Sequence, residues 1–142
     1  MGYQRKLIFS SIAFILAALL GLAIGGVLKD QVRIGTCTFI LERPHTTQEY
    51  AKGLSGRDSI APDHGMWFAF DPPKQPTFWM KEMRFPIDII WIADKKVVGL
   101  NENIPVDDGV SLYTPAEPVD AALEITAGSS SQCNMKQGAP IL

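Results

Sequence analysis

The stretch Gly65-Met66-Trp67-Phe68-Ala69-Phe70 is apolar at odd and even positions alike. Side chains of a strand point alternately to two faces, so such a run suits a strand covered on both sides. It ends at Asp71-Pro72-Pro73-Lys74-Gln75-Pro76. Prolines there lack the N–H that a ladder needs, so the strand is expected to stop.

Outward from this run the same signals recur. Upstream, Val32 to Glu42 is rich in β-branched residues and reads as a first strand before Pro44. Thr46-x-x-Glu49 has the spacing of a capping box, and Gly53 suits the stop of a short helix. Residues 55–64 are turn chemistry. Downstream, Phe78 to Lys81 is short and aromatic. Ile87 to Ala93 and Lys96 to Asn101 read as a hairpin about Asp94-Lys95. Val119 to Thr126 alternates, with Val119, Ala121, Leu123 and Ile125 facing in and Asp120, Glu124 and Thr126 facing out. The last part, from Ala127, is small and polar until a short strand near Pro140. Short strands with Gly/Pro punctuation and one small helix make a mainly β domain, a sandwich or a barrel.

The N-terminal part reads differently. Residues 1–6 form a short basic tip. Leu7 to Leu28 is a 22-residue run without charge. A helix of that length reaches ~33 Å, enough for a bilayer core. Arg5 and Lys6 precede it, while Lys29 and Asp30 cancel beyond it. The positive-inside rule then puts the N-terminus in the cytoplasm and the domain, residues 32–142, on the other side. Cleavage as a signal peptide after Ala23-Ile24-Gly25 is the competing reading and would give a secreted domain. The small-residue stripe Ala17, Gly21, Gly25 would let two such helices approach closely, a pointer to a homodimer.

Two cysteines, Cys37 and Cys133, stand near the two ends of the domain. Either they are separate small thiols or they pair. A bond closing so long a loop stabilises by about 4–5 kcal/mol in the chain-entropy picture, and an extracytoplasmic position favours it. The net charge is -2, from 13 basic and 15 acidic residues. No basic stripe appears, which argues against nucleic acid as a partner. There is no phosphate loop, dinucleotide fingerprint, zinc-type Cys/His spacing or nucleophile elbow, and no cofactor is expected.

Several blocks taken together resemble a known family. They are Gly53-Leu54-x-x-Arg57, Gly65-Met66-x-Phe68-x-Phe70, Phe78-Trp79-Met80-Lys81, Pro86-Ile87-Asp88-Ile89-Ile90 and Leu123-Glu124-Ile125-x-Ala127-Gly128. Their order and spacing are similar to the domain of unknown function family 192. The resemblance implies a compact, jelly-roll-like β domain, often behind a signal peptide or anchor, with no established activity. Departures from the family pattern stand at Ser55, Glu82-Met83 and Gly138-Ala139.

The candidate site residues are Arg57, Trp79, Lys81, Asp88 and Glu124. Asp88 shares a strand face with Ile90 and Ile92, and a carboxylate on an apolar face needs a partner. Arg57 or Lys81 is the expected one; a strand-start Asp capping a turn is the plainer alternative. Trp79 shares a face with Lys81 and is the aromatic expected at the surface, where rings bind sugars or peptides. Glu124 is expected in solvent. The favoured function is a membrane-anchored, extracytoplasmic module that binds a ligand or an envelope protein, without catalysis. An alternative is a hydrolase of envelope material using Asp88 and Glu124 as a carboxylate pair. A third is copper handling through His64, Met66, Met80 and Met83, with ordinary core filling as the competing role of the methionines.

Overall fold

The computed structural model describes residues 30–142. The expected membrane segment, 7–28, and the Ala17/Gly21/Gly25 stripe lie outside the described residues. Among the described residues no helix is long and apolar enough to cross a membrane.

The chain runs β1 (Gln31–Ile34), β2 (Cys37–Glu42), α1 (Thr47–Lys52), β3 (His64–Lys74), β4 (Phe78–Trp79), β5 (Ile87–Ala93), β6 (Lys96–Ile104), β7 (Leu112–Tyr113), β8 (Val119–Thr126) and α2 (Ser129–Gln132). Six strands form one sheet in the order β1-β2-β3-β8-β5-β6, and β4 pairs with β7 in a separate ribbon. Only β2 and β3 run parallel within the sheet; its other neighbours are antiparallel. The two edge strands curl toward the same C-terminal segment. Arg33 exchanges backbone bonds with Leu142, and Val97 does so with Gly138 and Ala139. The described residues thus form a mainly β fold with a half-barrel sheet and only short helices. It is not two sheets stacked as in a jelly roll, because the second layer is made of α1, loops and the β4–β7 ribbon.

Each face of the sheet buries its own core. The concave side holds Ile34, Phe39, Ile90, Ile92, Leu123 and Ile125. The convex side holds Leu54, Met66, Phe68, Phe70, Met80, Ile87 and Ile89. Two-sided burial of β3 is what the 65–70 run called for, with Met66, Phe68 and Phe70 on the convex core and Trp67 against the concave one. Transfer of apolar area from water is the dominant drive, at about 25 cal/mol per Å².

Local chemistry explains the elements. Thr46 accepts from the Glu49 N–H, and the Glu49 carboxylate accepts from the Thr46 N–H, so the capping box forms. Asp94 and Lys95 both take positive φ, 50° and 57°, as the hairpin turn between β5 and β6 requires. The expected single strand 32–42 is broken into a hairpin at Gly35-Thr36. A Cβ on Gly35 would stand 2.0 Å from the Cys133 carbonyl oxygen, so the hairpin and the C-terminal segment meet only because position 35 is glycine. β3 outruns its expected end. The ladder with β8 skips the prolines and resumes at Lys74, opposite Val119. The proline-rich piece therefore bulges out of the ladder rather than terminating the strand. Helix α2 falls where small polar loop was expected. Cys37 and Cys133, 96 residues apart in sequence, are joined by a disulfide.

Candidate functional site

A cavity of about 320 Å³ opens between α1, the start of the loop after it, β3 and the β4 ribbon. Aromatic rings make its walls. Tyr50, Phe68, Phe78 and the core ring Trp91 form an edge-to-face chain with centroids 5.8, 5.0 and 5.4 Å apart. Such edge-to-face contacts hold rings in fixed orientations. Phe70 completes the wall, and the Lys74 ammonium lies 4.9 Å from its centroid. Trp79, 51% exposed, stands at the mouth with Tyr50, Lys52 and Lys74.

Glu124 lies on the floor, only 5% exposed. Strand register puts it there. It pairs with Met66 of β3 on one side and Ile89 of β5 on the other, and both face the convex core. Among the described residues its Oε2 has no hydrogen-bond partner. Burial pushes this carboxyl up to about 8, and the Arg57 guanidinium opposes that only in part. A carboxylate loses its hydration on burial, so the neutral acid is favoured. Glu124 is thus a protonated carboxyl at neutral pH, able both to donate and to accept. Gly53 leaves it room. A Cβ there would sit 3.5 Å from Glu124 Oε2 and from the Phe68 ring.

The five expected site residues do not converge. Trp79 and Glu124 share the cavity. The exposed position expected for Glu124 is corrected, because the alternation of β8 is in–in rather than in–out. Arg57 bonds Glu42 at 2.8 Å and lines a neighbouring hollow of about 270 Å³ with Lys52 and Gly53. Lys81 is exposed on the turn after β4, outside the cavity lining. Its carbonyl accepts from the Ser55 hydroxyl at 2.8 Å.

Asp88 is wholly buried and pairs with neither Arg57 nor Lys81. It accepts from the Asn103 N–H (2.7 Å), the Gly128 N–H (3.1 Å), the Ser130 N–H (2.9 Å) and the Ser130 hydroxyl (2.6 Å). This carboxylate ties β6 to the first turn of α2. It is a fold-holding residue, close to the turn-capping alternative. Asp88 pairs with Ile125 and Glu124 with Ile89 across the same two strands. Neighbouring positions on a strand face opposite ways, so the two carboxyls stand on opposite faces of the sheet. The carboxylate-pair hydrolase loses its geometry. Met66, Met80 and Met83 are buried in the convex core beside Phe68, Phe85 and Ile87, where thioethers fill space. His64 Nδ1 lies 2.8 Å from Asp63.

Tyr50, Lys52 and Lys74 were not singled out from sequence. Tyr50 did carry a signal: it is the one aromatic residue in a helix that buries none of its side chains. Such a ring must cover something else. Lys52 and Lys74 look like ordinary surface lysines in sequence.

Comparison with known proteins bears on the whole domain. A family model described as uncharacterized ACR, domain of unknown function 192, matches residues 31–142. The chain belongs to that family. No curated protein matches it in sequence. The DUF192 domain is similar in structure to a protein of unknown function from Novosphingobium aromaticivorans DSM 12444. That likeness has a TM-score of 0.73 and 30% identity, over 84% of this chain and 88% of the other. It is also similar to a candidate transcription regulator from Sinorhizobium meliloti 1021, again with TM-score 0.73, at 28% identity over 83% of this chain and 97% of the other. Four of the five quoted blocks contribute residues to the cavity. Gly53, Phe68, Phe70, Phe78, Trp79 and Glu124 all belong to the quoted motifs and all line it.

Proposed function

We propose that this DUF192 domain is a ligand-binding module held at the outer side of a membrane, and that it takes a small ring-bearing molecule in the aromatic cavity above Glu124. The observation that carries the reading is a carboxyl 95% removed from solvent at the floor of an open cavity, whose Oε2 finds no partner among the described residues. Buried polar groups in folded proteins are nearly always hydrogen-bonded. A ligand on the floor would meet the small part of the Glu124 carboxyl that stays accessible, and the aromatic walls would take its ring. The size fits, since small-molecule sites begin near 300 Å³.

Location rests on two supports. The uncharged run 7–28, with its basic flank, has the length and polarity of an anchor. A disulfide closing nearly the whole domain belongs with an oxidising compartment. The transcription-regulator description stays with the Sinorhizobium protein. A net charge of -2 without a basic stripe gives this chain no electrostatic hold on nucleic acid.

The test is a two-dimensional NMR titration of the domain with single-ring probes, aromatic and sugar, each carried to millimolar concentration. Binding should move the resonances of Gly53, Phe68, Phe78 and Trp79 together and saturate. A panel that moves none of these four sinks the reading.

A further inference from the structure

The charges at the mouth say what kind of ring the cavity takes. Lys52 and Lys74 both line it and are exposed, one at the end of α1 and one at the end of β3. Glu124, the one acid among the lining residues, is buried. Held as the neutral acid by burial, it does not cancel their charge at neutral pH. Arg57, on the far side of Gly53, is already matched by Glu42 at 2.8 Å. The cavity is therefore apolar in its walls, positive at its rim and uncharged at its floor. A cationic ligand would meet two ammonium groups on entry and find no carboxylate below. A neutral ring would use the walls and the floor but leave the rim unanswered.

We propose that the site selects a ring-bearing anion: the ring lies between Phe68, Phe78 and Trp79, the acidic group reaches Lys52 and Lys74, and a hydroxyl or carbonyl at the opposite end meets Glu124. This rests on the binding reading above and narrows it to a ligand class. Three separate features of the ligand answer three layers of the cavity. Lys74 also has a structural reason to be in place, because its ammonium sits 4.9 Å from the Phe70 ring centroid, which restrains a side chain that would otherwise move freely. Aromatic hydroxy acids and acidic sugars both fit the description. Their shared chemistry is a six-membered ring with a carboxylate at one end and a hydroxyl at the other.

Calorimetric titration of the domain with matched probes separates the cases. The aromatic set is 4-hydroxybenzoate, 4-hydroxybenzyl alcohol and tyramine: anion, neutral and cation on one ring. The sugar pair is glucuronate against glucose. At low salt the anion of at least one set should bind about tenfold more tightly than its neutral counterpart, as expected for charge-assisted hydrogen bonds. Whichever set binds identifies the source. The double variant Lys52→Gln/Lys74→Gln should remove that preference, bringing the anion's affinity down to that of its neutral counterpart, in a domain that still folds, since exposed lysines contribute little to folding. Equal binding of anion and neutral probe overturns the anion assignment and leaves the binding reading standing. Tighter binding of tyramine also overturns it, in favour of a cation site. Failure of every probe to bind overturns both.

Discussion

Replacing Glu124 with Gln tests the buried acid directly. The side chain keeps its size and loses only its ability to ionise. In the folded domain the carboxyl titrates at about 8, against an ordinary value of 4.5. Between those two values the unfolded chain has given up the proton and the folded chain has not. The folded state then binds more protons than the unfolded one, so stability falls as pH rises. The contribution is complete below pH 4.5 and is gone once pH passes about 8. Each unit of pH within the window removes about 1.4 kcal/mol. From about pH 5 to pH 8 the wild type should lose about 3 to 4 kcal/mol that Glu124→Gln does not lose. The amide carries its own burial penalty, but that penalty is the same at every pH. The quantity to read is therefore the slope of the difference, not its absolute value. Urea denaturation of both proteins at half-unit steps supplies it, with the midpoint and the slope m followed together. Parallel stability curves across the window would refute the assignment of Glu124 as a buried neutral acid. The argument for the ligand's polar end would go with it.

Further expectations follow from the same geometry. Asp88→Ala leaves three backbone N–H groups without their acceptor and leaves the Ser130 hydroxyl only Glu102; it should lower stability by about 3 kcal/mol or more in the same urea assay, since each buried donor left unpaired costs its desolvation. Trp79→Ala should cost only about 1 kcal/mol of stability, because half the ring is already in water, yet it should weaken any probe that binds the cavity; a melting point lower by many degrees would make Trp79 a core residue instead. The double variant Cys37→Ser/Cys133→Ser opens the 96-residue loop and should cost about 3 to 5 kcal/mol, with circular dichroism reporting the lower melting point.

Sequence alone was enough for the class of fold, because strand periodicity, turn residues and capping chemistry act over a few neighbours. The capping box at Thr46 and Glu49, the hairpin at Asp94-Lys95 and the two-sided apolar run at 65–70 are all local statements, and all three stand in the structure. What stayed out of reach was set by partners distant in the chain. Glu124 looked solvent-facing because alternation separates two faces but does not say which are covered. The second cover comes from α1 and the residues after it, some 70 positions earlier. Asp88 looked like half of an ion pair because an apolar face demands a partner. Its partners turned out to be the Ser130 hydroxyl and backbone groups of Asn103, Gly128 and Ser130, and backbone groups leave no trace in residue identity. Arg57 could be assigned to Asp88 or Glu42 on charge alone, and only the fold placed it against Glu42. The cavity itself has no sequence signature. It exists where elements distant in the chain fail to fill the space between them. Composition can name the aromatic residues, but only tertiary packing decides which of them face a void.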